Sequence, residues 1–176
     1  MAIIRLQHIG LAVKDLHESC ARFERIFGLT ARDFRNDQGK GMQLDARILL
    51  GNDCWLHVVQ NWNPNARVYQ YLENHGAGLE HIALETDNIE EDVQRLRDAG
   101  VPIVDDTIFD ANDGYEAFVR PEDAIGFTVE LIQPHKRSWG YPPDAKGQPV
   151  SSKMGLLRLQ HFGIVVNDMH AACRRF

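Results

Sequence analysis

Three histidines and one glutamate stand at matched separations along the chain. His8 and His57 are 57 − 8 = 49 positions apart, and His81 and Glu130 are 130 − 81 = 49 apart. The second pair therefore repeats the first with a shift of 81 − 8 = 73 positions. Each copy carries one side chain able to ligate a metal near its start and another near its end, and such a repeat of chemistry implies a shared site. Imidazole nitrogens with a carboxylate suit zinc, cobalt, nickel, manganese or iron, whereas magnesium and calcium prefer oxygen donors.

The residues around these four repeat as well. Arg5-Leu6-Gln7-His8-Ile9-Gly10-Leu11 lies over Gly78-Leu79-Glu80-His81-Ile82-Ala83-Leu84, and Leu56-His57-Val58-Val59-Gln60 lies over Val129-Glu130-Leu131-Ile132-Gln133. These short Ile-, Leu- and Val-rich alternating runs read as strands. Strand geometry sends each candidate ligand to one face and its neighbours, such as Val129 and Leu131, to the other. A helix follows the first strand of each copy. Asp15 with Glu18, and Asp87 with Glu90, have the spacing of a side-chain cap followed by a glutamate. Leu16, Cys20, Phe23 and Phe27, then Ile89, Val93 and Leu96, give each helix an apolar stripe, and Gly28 and Gly100 stop it. Strand-like runs follow at 29–34, 42–50 and 54–60, and again at 103–109, 117–120 and 126–133. The unit is β-α-β-β-β, used twice.

A tandem βαβββ chain with histidine on the first strand and a carboxylate on the last resembles the vicinal oxygen chelate superfamily, which includes glyoxalase I, methylmalonyl-CoA epimerase, fosfomycin-resistance proteins and extradiol dioxygenases. The epimerase-like branch matches best. The run His8-Ile9-Gly10-Leu11-Ala12-Val13-Lys14-Asp15-Leu16 resembles its opening strand and helix start. The run from Gly76 to Ala83 resembles its second-module entry, and Arg120-Pro121 to Val129-Glu130-Leu131 its closing strand. The resemblance covers residues 3–135. It implies an α+β fold whose tandem βαβββ modules form an incomplete barrel around a metal site. It also implies that His8, His81 and Glu130 are ligands, with His57 at a position where the epimerases carry glutamine and bacterial glyoxalase I carries glutamate.

Four protein ligands on an octahedral metal leave two adjacent positions for a substrate that chelates through vicinal oxygens, and the metal then acts as a Lewis acid on an enolate-like intermediate. If His57 stays off the metal, the remaining two histidines and carboxylate form the ligand set of non-haem iron(II) oxygenases. In the family one carboxylate base comes from the third strand of module one. The aligned position here is near Met42 or Gln43, and the nearest carboxylate, Asp45, shares a face with Gln43. The candidate catalytic residues are therefore Glu130 and Asp45, and the candidate pocket residues are Gln43 and Trp55.

Taken singly, a strand histidine is usually a hydrogen-bonded structural residue; the matched intervals are what lift this set above that reading. His75 falls in the loop expected between modules, and His17, His135 and His170 read as surface residues. Tyr69, Tyr71, Trp55 and Trp62 suit core packing better than a pocket wall.

With 176 residues and 44% hydrophobic content the chain can bury a two-module core, and a net charge of −6 argues against non-specific nucleic-acid binding. No apolar run has membrane length and no secretory signal is present. Three cysteines without metal-binding spacing suggest buried free thiols in a reducing cytoplasm. Residues 1–135 read as the two-module domain, with modules at about 1–65 and 76–135, and 136–155 as a linker. Residues 156–176 repeat the opening strand and helix, so they read as the start of an incomplete second domain that packs against another chain or the parent domain, with a homodimer as the testable form. The expected activity is that of a metal-dependent isomerase or lyase acting on a small oxygen-chelating substrate through a metal-stabilised enolate. The alternatives are an iron(II) extradiol dioxygenase and a metal-free, resistance-type small-molecule-binding protein.

Overall fold

A computed structural model describes residues 3–39, 42–51, 54–111, 113–135 and 159–175. The described residues fall into two units. One holds residues 8–80 and Leu159; the other holds 3–7, 81–135 and 160–175.

The first unit contains β1 (Ile3–Ala12, from His8 onward), α1 (Leu16–Phe27), β2 (Ala31–Asp37), β3 (Gln43–Leu49), β4 (Trp55–Asn61), α2 (Arg67–His75) and the start of β5 (Gly78–Thr86). Its strand order is β2-β3-β4-β1: β1 is parallel to β4, while β3 is antiparallel to both β4 and β2. Parallel neighbours need a crossover, and α1 supplies the helix that it passes through. Asp15 caps α1 by accepting from Glu18 N at 2.9 Å, and Gly28 ends it in the left-handed conformation at φ 69°. Leu16 and Cys20 are buried on the helix stripe, and Ala46, Ile48, Leu56 and Val58 are buried on the strands it crosses.

The second unit repeats this plan with β5, α3 (Ile89–Asp98), a 3₁₀ turn at Val104–Asp106, β6 (Phe109–Asp110), β7 (Gly114–Val119) and β8 (Thr128–Pro134), followed by α4 (Met169–Arg175). The order here is β5-β8-β7-β6, with β5 parallel to β8. Ile82, Ile89, Val93, Ala117, Val119, Val129 and Leu131 form its core. β7 runs so close to β8 that a Cβ on Gly114 would stand 2.5 Å from the Gln133 carbonyl oxygen, which excludes any side chain there.

The 73-residue shift governs the hydrogen-bond register. His8 faces Trp55 and Gly10 faces His57 across β1 and β4; His81 faces Thr128 and Ala83 faces Glu130 across β5 and β8. The same shift appears at the helix starts. Leu16 N donates to Gln60 Oε1 at 3.0 Å, and Ile89 N donates to Gln133 Oε1 at 2.8 Å. In both units a glutamine on the last strand takes up one of the free N–H groups of the crossover helix.

Several expectations are corrected. The cap of α3 is Asn88, which accepts from Glu91 N at 3.2 Å, not Asp87 with Glu90. The stretch at 103–109 is mostly not a strand: Asp105 and Asp106 adopt left-handed φ of 55° and 47°, which breaks the extended backbone at a short turn and leaves β6 two residues long. The link between modules contains α2, whose Val68 and Leu72 pack with Ala12 and Val59, so His75 ends a helix instead of sitting in a loop. In the closing segment, residues 156–158 lie outside the described residues, and 159–166 carry no strand, although α4 forms. Cys20 and Cys54 are buried free thiols, but Cys173 is exposed. No helix among the described residues is long and apolar enough to cross a membrane.

If the two glutamines work as helix caps, Gln60→Ala and Gln133→Ala should each lower stability by about 1 kcal/mol. Because the bonds share no partner, the double substitution should cost the sum, as read by urea denaturation.

Candidate functional site

In the first unit, period-two alternation puts Gln43, Asp45 and Arg47 of β3 and Trp55, His57 and Asn61 of β4 on the face opposite α1. His8 joins them from β1. It is 4% exposed, its ring stacks on Trp55 at 5.7 Å between centroids, and it meets His57 edge-on at 5.3 Å. The ligand atoms offered by His8 and His57 lie within 4.8 Å of each other. Burial pushes the His8 imidazole well below its ordinary pKa, and the charges of His57, Arg47 and Arg67 push it the same way. His8 is therefore neutral near pH 7, with a ring lone pair available to a metal.

Asp45 is 5% exposed and holds three neighbours. Gln43 Nε2 donates to Oδ2 at 3.1 Å, Arg35 Nε stands 3.5 Å from Oδ1, and His57 Nε2 stands 3.5 Å from the same oxygen. Burial raises the carboxyl pKa, but the nearby His57 imidazole, the Gln43 amide and the Arg35 charge outweigh it and hold Asp45 below the usual carboxylate range. Asn61 Nδ2 extends this chain by donating to Gln43 Oε1 at 3.3 Å. The Arg47 guanidinium lies 5.4 Å from the centre of the Trp55 ring, and Arg67 pairs with buried Glu80.

In the second unit His81 and Glu130 meet directly, Nε2 to Oε2 at 3.3 Å, with both side chains 5% exposed. β5 and β8 position them through the same register that places His8 near His57 in the first unit.

Each unit thus brings its expected pair together. Asp45 and Gln43 are on the expected face, engaged with one another and with His57, and Trp55 is a buried platform beneath His8 and Arg47. Sequence reasoning missed Arg35, Arg47, Asn61 and the Arg67–Glu80 pair. Alternation along Gln43-Leu44-Asp45-Ala46-Arg47 and along β4 was the signal that carries Arg47 and Asn61. Of the other described histidines, His17 stacks with Phe34, His75 packs near Tyr71, His135 Nε2 lies 2.9 Å from Asp110 Oδ1, and His161 and His170 are exposed.

Residues 7–118 match a family described as the Glyoxalase/Bleomycin resistance protein/Dioxygenase superfamily. The chain is 29% identical over 132 residues to the mitochondrial methylmalonyl-CoA epimerase of Homo sapiens, a match spanning 73% of each protein. It is 27% identical over 131 residues to an uncharacterized protein of Bacillus subtilis, YqjC, covering 74% of this chain and 92% of that one. A Streptomyces coelicolor methylmalonyl-CoA epimerase variant in complex with 2-nitronate-propionyl-CoA superposes with a TM-score of 0.69 at 21% identity, covering 80% of this chain and all of that one. A Mycobacterium tuberculosis methylmalonyl-CoA epimerase gives 0.68 at 21%, covering 76% and 89%. The structural likeness shows the fold, the α+β architecture of tandem βαβββ modules.

The depressed His8 pKa predicts a pH effect in metal-free protein. The unfolded chain takes up the His8 proton below about 6.5, while the folded chain does so only at lower pH. Stability should therefore fall as pH drops through 6.5 and below, and His8→Gln should flatten that slope in urea titrations run at stepwise pH.

Proposed function

Given that the chain belongs to the Glyoxalase/Bleomycin resistance protein/Dioxygenase superfamily, we propose that it is an epimerase-like isomerase. It moves a proton at the carbon next to a carbonyl in a small oxygen-chelating acyl substrate, and His8, His57, His81 and Glu130 are the side chains it offers to a divalent transition metal. The observation that carries this reading is the repeated register, which gives each unit one ligand pair, His8 with His57 and His81 with Glu130.

The donor set fits a metal. His8 is held neutral, as a ligating imidazole must be, and the carboxylate of Glu130 is buried where a cation offsets its desolvation. When bound, the metal supplies Lewis acidity toward substrate oxygens and orients them. Zinc, cobalt, nickel, manganese and iron all suit these donors.

The chain's own groups carry the proton. Glu130 takes it from the carbon next to the carbonyl, and the electron pair left behind spreads onto the carbonyl oxygen. Solvent water delivers a proton to the other face of the flattened carbon, which completes the inversion, and Glu130 gives up the proton it took to water. Asp45, the other carboxylate expected in this role, is held by Gln43, Arg35 and His57, which lowers its basicity, so the transfer falls to Glu130. Trp55 walls the site from beneath His8, and Gln43 supports Asp45. Relatives named for methylmalonyl-CoA and ethylmalonyl-CoA favour a coenzyme A thioester as substrate and an isomerase over a lyase. The buried free thiols of Cys20 and Cys54 accord with a reducing cytoplasm.

Incubation with methylmalonyl-CoA in D₂O under argon tests the activity. Metal-loaded protein should incorporate deuterium next to the carbonyl, stripped protein should not, and Glu130→Gln should slow exchange by about 10²–10⁴-fold. Absence of exchange together with oxygen uptake on a catechol would move support to the dioxygenase reading. A homodimer also belongs to this proposal: Val165 and Met169 are 99% and 64% exposed, and deleting residues 150–176 should lower the sedimentation coefficient more than the lost mass requires while leaving metal content intact.

A further inference from the structure

We propose that Asp45 is a positioning residue that acts through His57: it accepts the Nε2 proton of the imidazole and so presents Nδ1 to the metal. The inference deepens the reading above and rests on His57 being a ligand.

The two nitrogens of an imidazole are tied together. A hydrogen bond from one fixes the tautomer and ring orientation, leaves the other as the lone-pair donor, and raises its basicity. Here the nitrogen nearest a carboxylate is His57 Nε2, 3.5 Å from Asp45 Oδ1. The carboxylate is itself fixed. Asn61 donates to Gln43, and Gln43 Nε2 donates to Asp45 Oδ2, the oxygen that His57 does not face. Arg35 Nε approaches Oδ1 from β2. Register places these groups side by side, since Gln43 pairs with Asn61, Asp45 with Val59 and Arg47 with His57 across β3 and β4, while Arg35 pairs with Asp45 across β2 and β3. The Asn61–Gln43–Asp45 chain is thus a partly buried brace whose Asp45 end faces His57.

Asp45 is 5% exposed, so an unsupported charge there would be costly; the brace and His57 are what keep it. In the second unit His81 directs its Nε2 at Glu130, itself a proposed ligand. The two units therefore use their carboxylates differently. Glu130 shares the metal with its histidine, while Asp45 stands behind its histidine.

The test titrates metal-stripped full-length protein with Co²⁺ by chelator competition. The forms compared are wild type, Asp45→Ala, Asp45→Asn, His57→Gln, and Asp45→Ala combined with His57→Gln. Asp45→Ala should weaken Co²⁺ binding by about 10–100-fold, and it should add no further loss once His57 is glutamine. Asp45→Asn keeps the shape and an accepting oxygen, so it should fold as wild type by circular dichroism and fall between the two. An unchanged Co²⁺ affinity in Asp45→Ala, or an equal loss with and without His57, overturns the proposal. A metal-free arm uses the ¹⁵N shifts of the His57 ring. Wild type should show Nε2 protonated and Nδ1 bare, and Asp45→Ala should lose that preference; a protonated Nδ1 in wild type overturns the proposal. If wild-type protein binds no Co²⁺, the metal reading fails, and the ¹⁵N arm still decides the Asp45–His57 pair.

Discussion

The parallel pairing of the first and last strand of each module is the constraint on which the rest depends. Because side chains alternate with a period of two, sliding β4 by one residue against β1 would turn His57 toward α1 and bring Val58 onto the polar face. Nothing in a parallel ladder alone forbids such a slip. The bonds from Leu16 N to Gln60 and from Ile89 N to Gln133 help to prevent it, because each ties the start of a crossover helix to one residue of the last strand. A register that repeats after 73 residues, together with its anchor, explains why ligand-type residues fall at equal separations in two modules that share little other sequence.

The polar face of the first unit is costly by the ordinary rules of folding. His8, Asp45 and Asn61 are all buried, and a well-packed apolar surface of the same volume would be at least as stable. Part of that cost is offset by contacts within the face: amide to amide, amide to carboxylate, guanidinium near carboxylate and guanidinium over indole. Such a concentration of polar groups departs from the alternation that builds the core on the opposite face. Departures of that kind mark places where selection for chemistry has overridden selection for stability. The Arg67–Glu80 pair extends the same pattern to α2 and β5.

Periodicity made most of the fold legible before any coordinates. The strand-helix-strand order, the capping of α1 by Asp15 and its end at Gly28 follow from side chains that act within three or four residues of themselves. What escaped the sequence depends on partners far along the chain or on weak local signals. The helix α2 is stabilised by Val68 and Leu72 packing on Ala12 and Val59, contacts that a window of ten residues cannot contain. The run 103–109 looks apolar enough for a strand, yet two adjacent aspartates accept left-handed backbone and turn it. The closing segment repeats the letters of β1 without a neighbouring ladder, and 159–166 does not become a strand. The members of each candidate ligand pair were legible because their spacing repeats. Arg35 was not, because its approach to Asp45 depends on the irregular β2–β3 pairing between Arg32 and Arg35.

The stacking of Trp55 on His8 gives the protein a built-in optical gauge. An indole 1% exposed to water emits at short wavelength, apart from the light of exposed Trp62. Its ring lies nearly parallel to the imidazole, 21° between planes, so any change in that imidazole's charge or occupancy perturbs the excited indole directly. Paramagnetic ions such as cobalt or nickel drain that emission, whereas zinc, with its filled d shell, does not. With Trp62 and Trp139 replaced by phenylalanine, the fluorescence of Trp55 therefore reports the state of one histidine without label or substrate.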